Sequence, residues 1–441
     1  MREKVDLLIE ARWIAPVDTA TVLTGHAVAI RGERIVAVLP VMETRQRFDA
    51  AQRIYLGDHL LIPGLINLHT HAAMSLLRGY ADDLPLMEWL QKHIWPAEAA
   101  HVAPNFVHDG TLLACAEMLK GGITCFNDMY FYPQSAAEAA IKAHMRVVIG
   151  ITTMEFANNY AADADDYLNK GLAARDQYLD HPLISFALAP HAPYTVSDAT
   201  FERIATLSQH LDLPIHCHIH ETQTEIEDSL TRFGMRPLER LRRLGLLGPN
   251  LIAVHGVHLQ PDEIQLLAAH SSSIAHCPSS NLKLASGIPP IASALAAGIN
   301  IGLGSDGAAS NNRLDIFTEM RLAALLAKGI SGDPAALPAH QALRMATLNG
   351  AKALGMENNI GSLTAGKQAD LCAIDFSSLP MQPCFDPLSH LVYAGDRSLV
   401  SHVWVGGRCC VENKELLTLP ENDLKNSARL WQNRLEIRPT T

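Results

Sequence analysis

Two imidazoles set two residues apart, His69 and His71, end the short apolar run Leu65-Ile66-Asn67-Leu68 that follows Ile62-Pro63-Gly64. Side chains two apart in a strand point the same way, so the pair supplies half of a metal site. With 21 His in 441 residues, chance alone yields about one such pair, so the pair needs company. That company ends later apolar runs: His191 after Leu188-Ala189-Pro190, then His216, His218 and His220 ahead of Glu221, then His255, His276 and Asp306. Crowded into one polar pocket, these groups cost stability unless they bind something. Three neutral imidazoles and a carboxylate suit Zn2+ or a similar divalent ion, with a position left for water.

His216, His218 and His220 share one face by the period of two, so periodicity alone does not choose among them. The spacing to Glu221 does. A carboxylic acid three residues past a ligand reaches over a substrate without binding the metal, which is the division of labour that hydrolytic deamination needs. His218 is therefore read as a ligand and Glu221 as the proton donor and acceptor.

The elements that must position these groups are legible from residue 63 onward. Apolar runs near 64–69, 123–128, 146–152, 183–190, 214–219, 251–256, 272–277 and 299–305 alternate with helical stretches. In Asn105–Lys120, Leu112, Leu113, Ala116 and Leu119 fall on one stripe, and Gly121-Gly122 supplies the stop. Asp198–His210, Asp262–His270 and Arg313–Lys328, the last ended by Gly329, read the same way. No Gly-x-Gly-x-x-Gly turn follows the first strand, so the α/β pattern predicts a (β/α)8 barrel rather than a doubly wound sheet. Barrel enzymes carry their chemistry at the C-terminal ends of the strands, and six of the eight predicted ends here carry a titratable group.

Outside this region the texture is that of short strands. Val28–Ile30 and Ile35–Val38 flank the turn Arg31-Gly32-Glu33-Arg34, and Ala369–Phe376, Val400–Val405 and Arg408–Val411 return near the C-terminus. Residues 1–62 and 363–441 are expected to form one composite β-sandwich domain with a final helix over Asp423–Glu436. Residues 63–362 are expected to form the catalytic barrel.

The balance of 35 basic against 46 acidic residues, with no basic run, argues against nucleic acid as a partner. The eight Cys show no Cys-x-x-Cys spacing and sit mostly in apolar runs, which suits reduced thiols in a cytoplasm. No stretch of about twenty apolar residues is present, so no membrane span is expected.

Pro63-Gly64-Leu65-Ile66-Asn67-Leu68-His69-Thr70-His71, His218-x-x-Glu221, Val254-His255, His276-Cys277-Pro278-Ser279-Ser280-Asn281-Leu282-Lys283 and Leu303-Gly304-Ser305-Asp306-Gly307-Ala308-Ala309-Ser310-Asn311-Asn312 together resemble the amidohydrolase superfamily. Within it they resemble the 5-methylthioadenosine/S-adenosylhomocysteine deaminases. The resemblance implies one zinc on His69, His71, His218 and Asp306, a ribose-binding carboxylate at Glu98, a substrate-binding His191 and a water-orienting His255. It implies a purine nucleoside substrate and a homo-oligomer. Superfamily members with two metals end the fourth strand in a lysine; here His191 stands there, which favours one metal. Asp306 with His255 is expected to accept the proton of the attacking water, and Glu221 and Asp306 also face the substrate. The bifunctional members use arginines after the third strand. Thr152 to Asp166 contains none, so 5′-methylthioadenosine or adenosine is expected over S-adenosylhomocysteine. A triazine chlorohydrolase or guanine-type deaminase is the alternative, and a non-catalytic scaffold a remote one. Trp89, His216, His220 and His276 are left without an assigned role, with core or loop packing expected for Trp89 and His276, as for Ser280.

Overall fold

The computed structural model describes residues 2–436. Among them two eight-stranded sheets carry the architecture. The first four strands are β1 (Glu3–Ile14), β2 (Leu23–Arg31), β3 (Arg34–Pro40) and β4 (Phe48–Pro63). The second sheet follows at once: β5 (Leu65–Thr70), β6 (Ile123–Tyr130), β7 (Arg146–Thr153), β8 (Ile184–Pro190), β9 (Ile215–Ile219), β10 (Leu251–His255), β11 (Ser273–His276) and β12 (Asn300–Leu303). The chain ends with β13 (Leu371–Asp375), β14 (Val400–Val405), β15 (Arg408–Glu412), β16 (Glu415–Leu416) and the helix Glu421–Glu436.

Strands β5 to β12 pair in sequence order, all parallel, with helices between them. This is the expected (β/α)8 barrel, nearly closed. Its strands are almost wholly buried because helices cover the outer face and side chains fill the inner one. Ile66, Leu68, Val148, Ile252 and Val254 cluster with Ala351, Leu354 and Ile360 to fill the barrel. No ladder joins β5 to β12 among the described residues; a few single hydrogen bonds close that seam. Asn67 donates to Ser305 Oγ at 2.7 Å and accepts from the Ser305 amide at 2.9 Å. The Asp306 amide donates to the His69 carbonyl at 3.0 Å. Gly304 permits this approach: a Cβ there would stand 2.8 Å from His69 Cβ and 2.9 Å from His69 N. The close seam thus puts His69, in β5, and His71, just after it, beside Asp306, which follows β12.

Both chain ends build the other sheet, in the order β16-β15-β14-β13-β4-β1-β2-β3. The hairpin about Gly32 is present as β2 and β3. The parallel pairing of β1 with the 16-residue β4, and the short helix Val41–Arg47 between β3 and β4, were not anticipated from the alternating pattern. One expected stop also shifts. The helix that begins at Ile316 runs through Gly329 to Ser331 and ends at Gly332 in the left-handed region, φ 66°. Its start is fixed by Asp315, whose carboxylate accepts from the Phe317 and Thr318 amides. No helix among the described residues is long and apolar enough to cross a membrane.

The segment after β5 covers the C-terminal mouth of the barrel. Its helices Leu86–Trp89 and Trp95–His101 are joined by a wide π-type turn over Leu90–Ile94. Behind it the C-terminal helix docks: Trp431 donates to Asp109 at 2.9 Å and meets Phe106 edge-on. Trp431 and Leu435 join one apolar cluster with Leu77, Trp89 and Ile94.

Candidate active site

The strand ends converge. His69 Nε2 lies 3.2 Å from Asp306 Oδ1 and 3.3 Å from His218 Nε2, and His71 Nε2 lies 3.3 Å from Asp306 Oδ1. Donors tetrahedrally arranged at zinc bond lengths of about 2.0–2.1 Å stand roughly 3.3 Å apart, so these spacings fit one small divalent ion. The opposite ring nitrogens are held. His71 Nδ1 donates to the Met129 carbonyl at 2.6 Å and His218 Nδ1 to the His191 carbonyl at 2.7 Å. A carbonyl only accepts, so each Nδ1 carries the proton and each Nε2 turns a lone pair inward. His69 Nδ1 meets His216 Nε2 at 2.9 Å and offers its own Nε2 in the same way when it is the donor. Asp306 Oδ2 accepts from Ser280 and Ser310 hydroxyls at 2.6 and 2.8 Å, and Oδ1 from the Gly307 amide at 2.7 Å.

Burial favours neutral imidazoles: it lowers the His69 pKa to about 4, that of His191 to about 3, and that of His218 well below its usual range. At His71 burial is outweighed by the hydrogen bond and charge of Asp306, which raise its pKa to about 9. A cation on Asp306 competes with that proton.

Two residues beyond this donor set face the same place. Glu221 Oε2 lies 3.8 Å from His255 Nε2, and His255 Nδ1 donates to Asn281 Oδ1 at 2.8 Å. Burial raises the pKa of Glu221, which suits a group that must hold a proton part of the time. The loop carrying it is tied from below by Glu225, whose carboxylate accepts from the His220 and Glu221 amides at 2.9 and 2.8 Å. His220, His255 and Asp306 all adopt the left-handed backbone region, φ 57°, 72° and 59°. Such conformations cost about 1–3 kcal/mol each and gather at functional sites.

A cavity of about 350 Å³ opens over the cluster. Its walls come from the covering segment (Trp89, Leu90, Ile94, Trp95), from Tyr130 at the end of β6 and Phe131 after it, and from Met154, Phe156 and Tyr160 after β7. His71, Glu98, His191, His218, Glu221, His255 and Asp306 all line it. Tyr130 donates to Glu98 Oε1 at 2.7 Å, and desolvation raises the Glu98 pKa to about 7 against that bond. His191 Nδ1 sits 3.1 Å from Thr195 Oγ1.

The remaining sequence candidates lie outside the donor set. His216 stands behind His69. His220 turns away, its Nε2 accepting from the Leu238 amide at 3.1 Å. His276 is buried with Nδ1 unpartnered. Trp89 both packs in the cluster and lines the cavity. Ser280 holds Asp306 rather than only joining loops. Sequence reasoning missed Tyr130, Glu225, Asn281 and Ser310; only Ser310 and Asn281 carried a signal, through the stretches that include them. No Lys or Arg lines the cavity among the described residues. The acids after β7 point elsewhere: Glu155 accepts from Ser197 and Thr200, Asp165 pairs with Arg203 and Asp166 with Lys170.

Known proteins resemble this chain over nearly its whole length. The profile of the amidohydrolase family matches residues 60–410. A 5-methylthioadenosine/S-adenosylhomocysteine deaminase of Saccharophagus degradans is 49% identical over 98% of this chain and 97% of its own length. One of Teredinibacter turnerae is 47% identical over 98% of each. Among solved structures, an adenosine deaminase from Xanthomonas campestris with bound zinc superposes with a TM-score of 0.98 at 48% identity, covering 99% of this chain and all of that one. The atrazine chlorohydrolase of Arthrobacter aurescens, complexed with zinc, reaches 0.90 at 24% identity over 96% and 99%, a likeness of fold. With a profile spanning most of the chain and relatives near half identity end to end, the chain belongs to the amidohydrolase family.

Proposed function

We propose that the protein is a zinc-dependent aminohydrolase that replaces the amino group at C6 of an adenine nucleoside by oxygen. Water is consumed and ammonia released, and 5′-methylthioadenosine is the favoured substrate. The observation that carries this is one cavity that opens on His71, His218 and Asp306, with buried His69 within about 3.3 Å of His218 and Asp306, and on a separate buried acid, Glu221. The relatives named as deaminases support it.

His69, His71, His218 and Asp306 would hold the ion. When bound, it supplies Lewis acidity and lowers the pKa of a water toward neutrality. Asp306 and His255 stand where they accept the proton of the attacking water, with His255 oriented by Asn281. Glu221 protonates the ring nitrogen beside C6, making that carbon electrophilic, and then takes the remaining proton of the oxygen added to C6 and passes it to the amine as the C–N bond breaks. Glu98 and His191 bind the sugar and the base. The eight cysteines are free thiols, most of them buried, which supports the cytoplasmic placement. The test is product analysis with purine nucleosides and a chlorotriazine. One ammonia per nucleoside consumed supports the reading; chloride release without ammonia overturns it.

The cavity wall predicts selectivity. Without a guanidinium, the amino-acid end of S-adenosylhomocysteine finds no charge partner beside Phe156 and Tyr160, whereas a methylthio group fits an apolar wall. Phe156→Arg should raise kcat/KM for S-adenosylhomocysteine relative to 5′-methylthioadenosine by about tenfold, the worth of one charge-assisted contact. An unchanged ratio means that Phe156 does not face the 5′ end.

A further inference from the structure

Glu98 is the one carboxylate of the cavity that neither belongs to the metal donor set nor faces His255. It sits on the helix Trp95–His101 of the covering segment, in a wall that is otherwise largely apolar. Among the described residues its side chain has a single hydrogen-bond partner, the Tyr130 hydroxyl on Oε1 at 2.7 Å. Tyr130 is the last residue of β6, so it belongs to the barrel and not to the cover. It is fixed there by Thr152, which donates to its carbonyl at 2.9 Å, and by Phe131, whose ring centroid lies 5.1 Å away. Beside Glu98 the cover is also held by Asn159, whose Nδ2 donates to the Ala99 carbonyl at 2.8 Å, and by Trp95 against Phe156.

A phenol donating to one carboxylate oxygen leaves the other oxygen, and the second lone pair of the first, as acceptors for two neighbouring hydroxyls. With no Lys or Arg in the wall, a neutral diol is the chemistry this carboxylate matches. We propose that Tyr130 is a specificity-determining positioning residue, holding Glu98 in the one orientation that receives the 2′,3′-diol of a ribonucleoside. It rests on the proposed nucleoside substrate and on Glu98 as its sugar-binding carboxylate, and adds the residue that fixes that carboxylate in place.

The test compares Tyr130→Phe with wild type on a ribonucleoside and on its 2′,3′-dideoxy analogue, using zinc-loaded protein. The variant should lose about tenfold in kcat/KM on the ribonucleoside, through KM, because a hydrogen bond to a charged group is lost. On the dideoxy analogue, which brings no diol, the loss should be several-fold smaller. On a Glu98→Gln background the tenfold loss should shrink in the same way. Zinc content and melting temperature show whether the variant is folded; a packing role for Tyr130 would lower turnover of both substrates alike. Equal losses on the two substrates, or an unaffected ribonucleoside, overturn the assignment of Tyr130. Wild-type protein that releases no ammonia from any nucleoside overturns the functional reading itself, a distinct result.

Discussion

Glu221→Gln should lower kcat by about 10² to 10⁴, the usual contribution of a positioned acid or base, while zinc content stays near that of wild type. The two halves of this expectation come from separate features. Glu221 lies outside the cluster formed by His69, His71, His218 and Asp306, and its carboxylate faces His255 at 3.8 Å, so the metal donor set keeps all its members in the variant. Glutamine has nearly the same size and cannot pass a proton, so the cavity keeps its shape. The tie that Glu225 makes to the amides at 220 and 221 is to backbone and persists. The loss should therefore fall on kcat with KM little changed, as for an interaction made in the transition state. Zinc loss in Glu221→Gln, or near-normal turnover, would remove Glu221 from the proton-transfer role.

Metal removal should abolish turnover and also loosen the fold. Three of the four donors, His69, His218 and Asp306, are buried and His71 is partly exposed, and the set places three imidazoles against one carboxylate. In apo-protein those groups face each other without the cation that unites them, which is unfavourable in a buried site. An ion that binds the folded chain alone stabilises it by about 4 kcal/mol at a thousandfold excess over Kd. Chelated protein should thus melt below the zinc-loaded form and recover both melting temperature and activity on adding zinc. Full activity in metal-free protein contradicts the scheme, and an unchanged melting temperature contradicts the ligand assignment.

The parts of the site that could be read in the sequence are those governed by short periods. His69 and His71, or His218 and Glu221, are separated by two or three residues, so strand geometry alone relates them. All eight barrel strands were legible because parallel strands covered on both faces are continuous apolar runs. What stayed hidden depends on long-range closure. Tyr130 meets Glu98 only because the segment after β5 folds back over the barrel, and Ser280 meets Asp306 across two strand ends. The π-type turn at Leu90–Ile94 has no sequence marker that separates it from an ordinary helix. The pairing of β1 with β4 stayed hidden because parallel partners need no turn between them, and turns are the only punctuation that the alternating pattern carries there. Gly329 misled because glycine is tolerated inside a helix whose stop, Gly332, lies three residues on.

The most direct measurement is a steady-state kcat/KM panel of zinc-loaded protein over 5′-methylthioadenosine, adenosine and S-adenosylhomocysteine, read by ammonia release. Deamination of all the nucleosides tested, with 5′-methylthioadenosine or adenosine preferred over S-adenosylhomocysteine, is the predicted result. Preference for S-adenosylhomocysteine contradicts the role given to the cation-free wall, and the absence of ammonia from every one of them contradicts the proposed reaction as a whole.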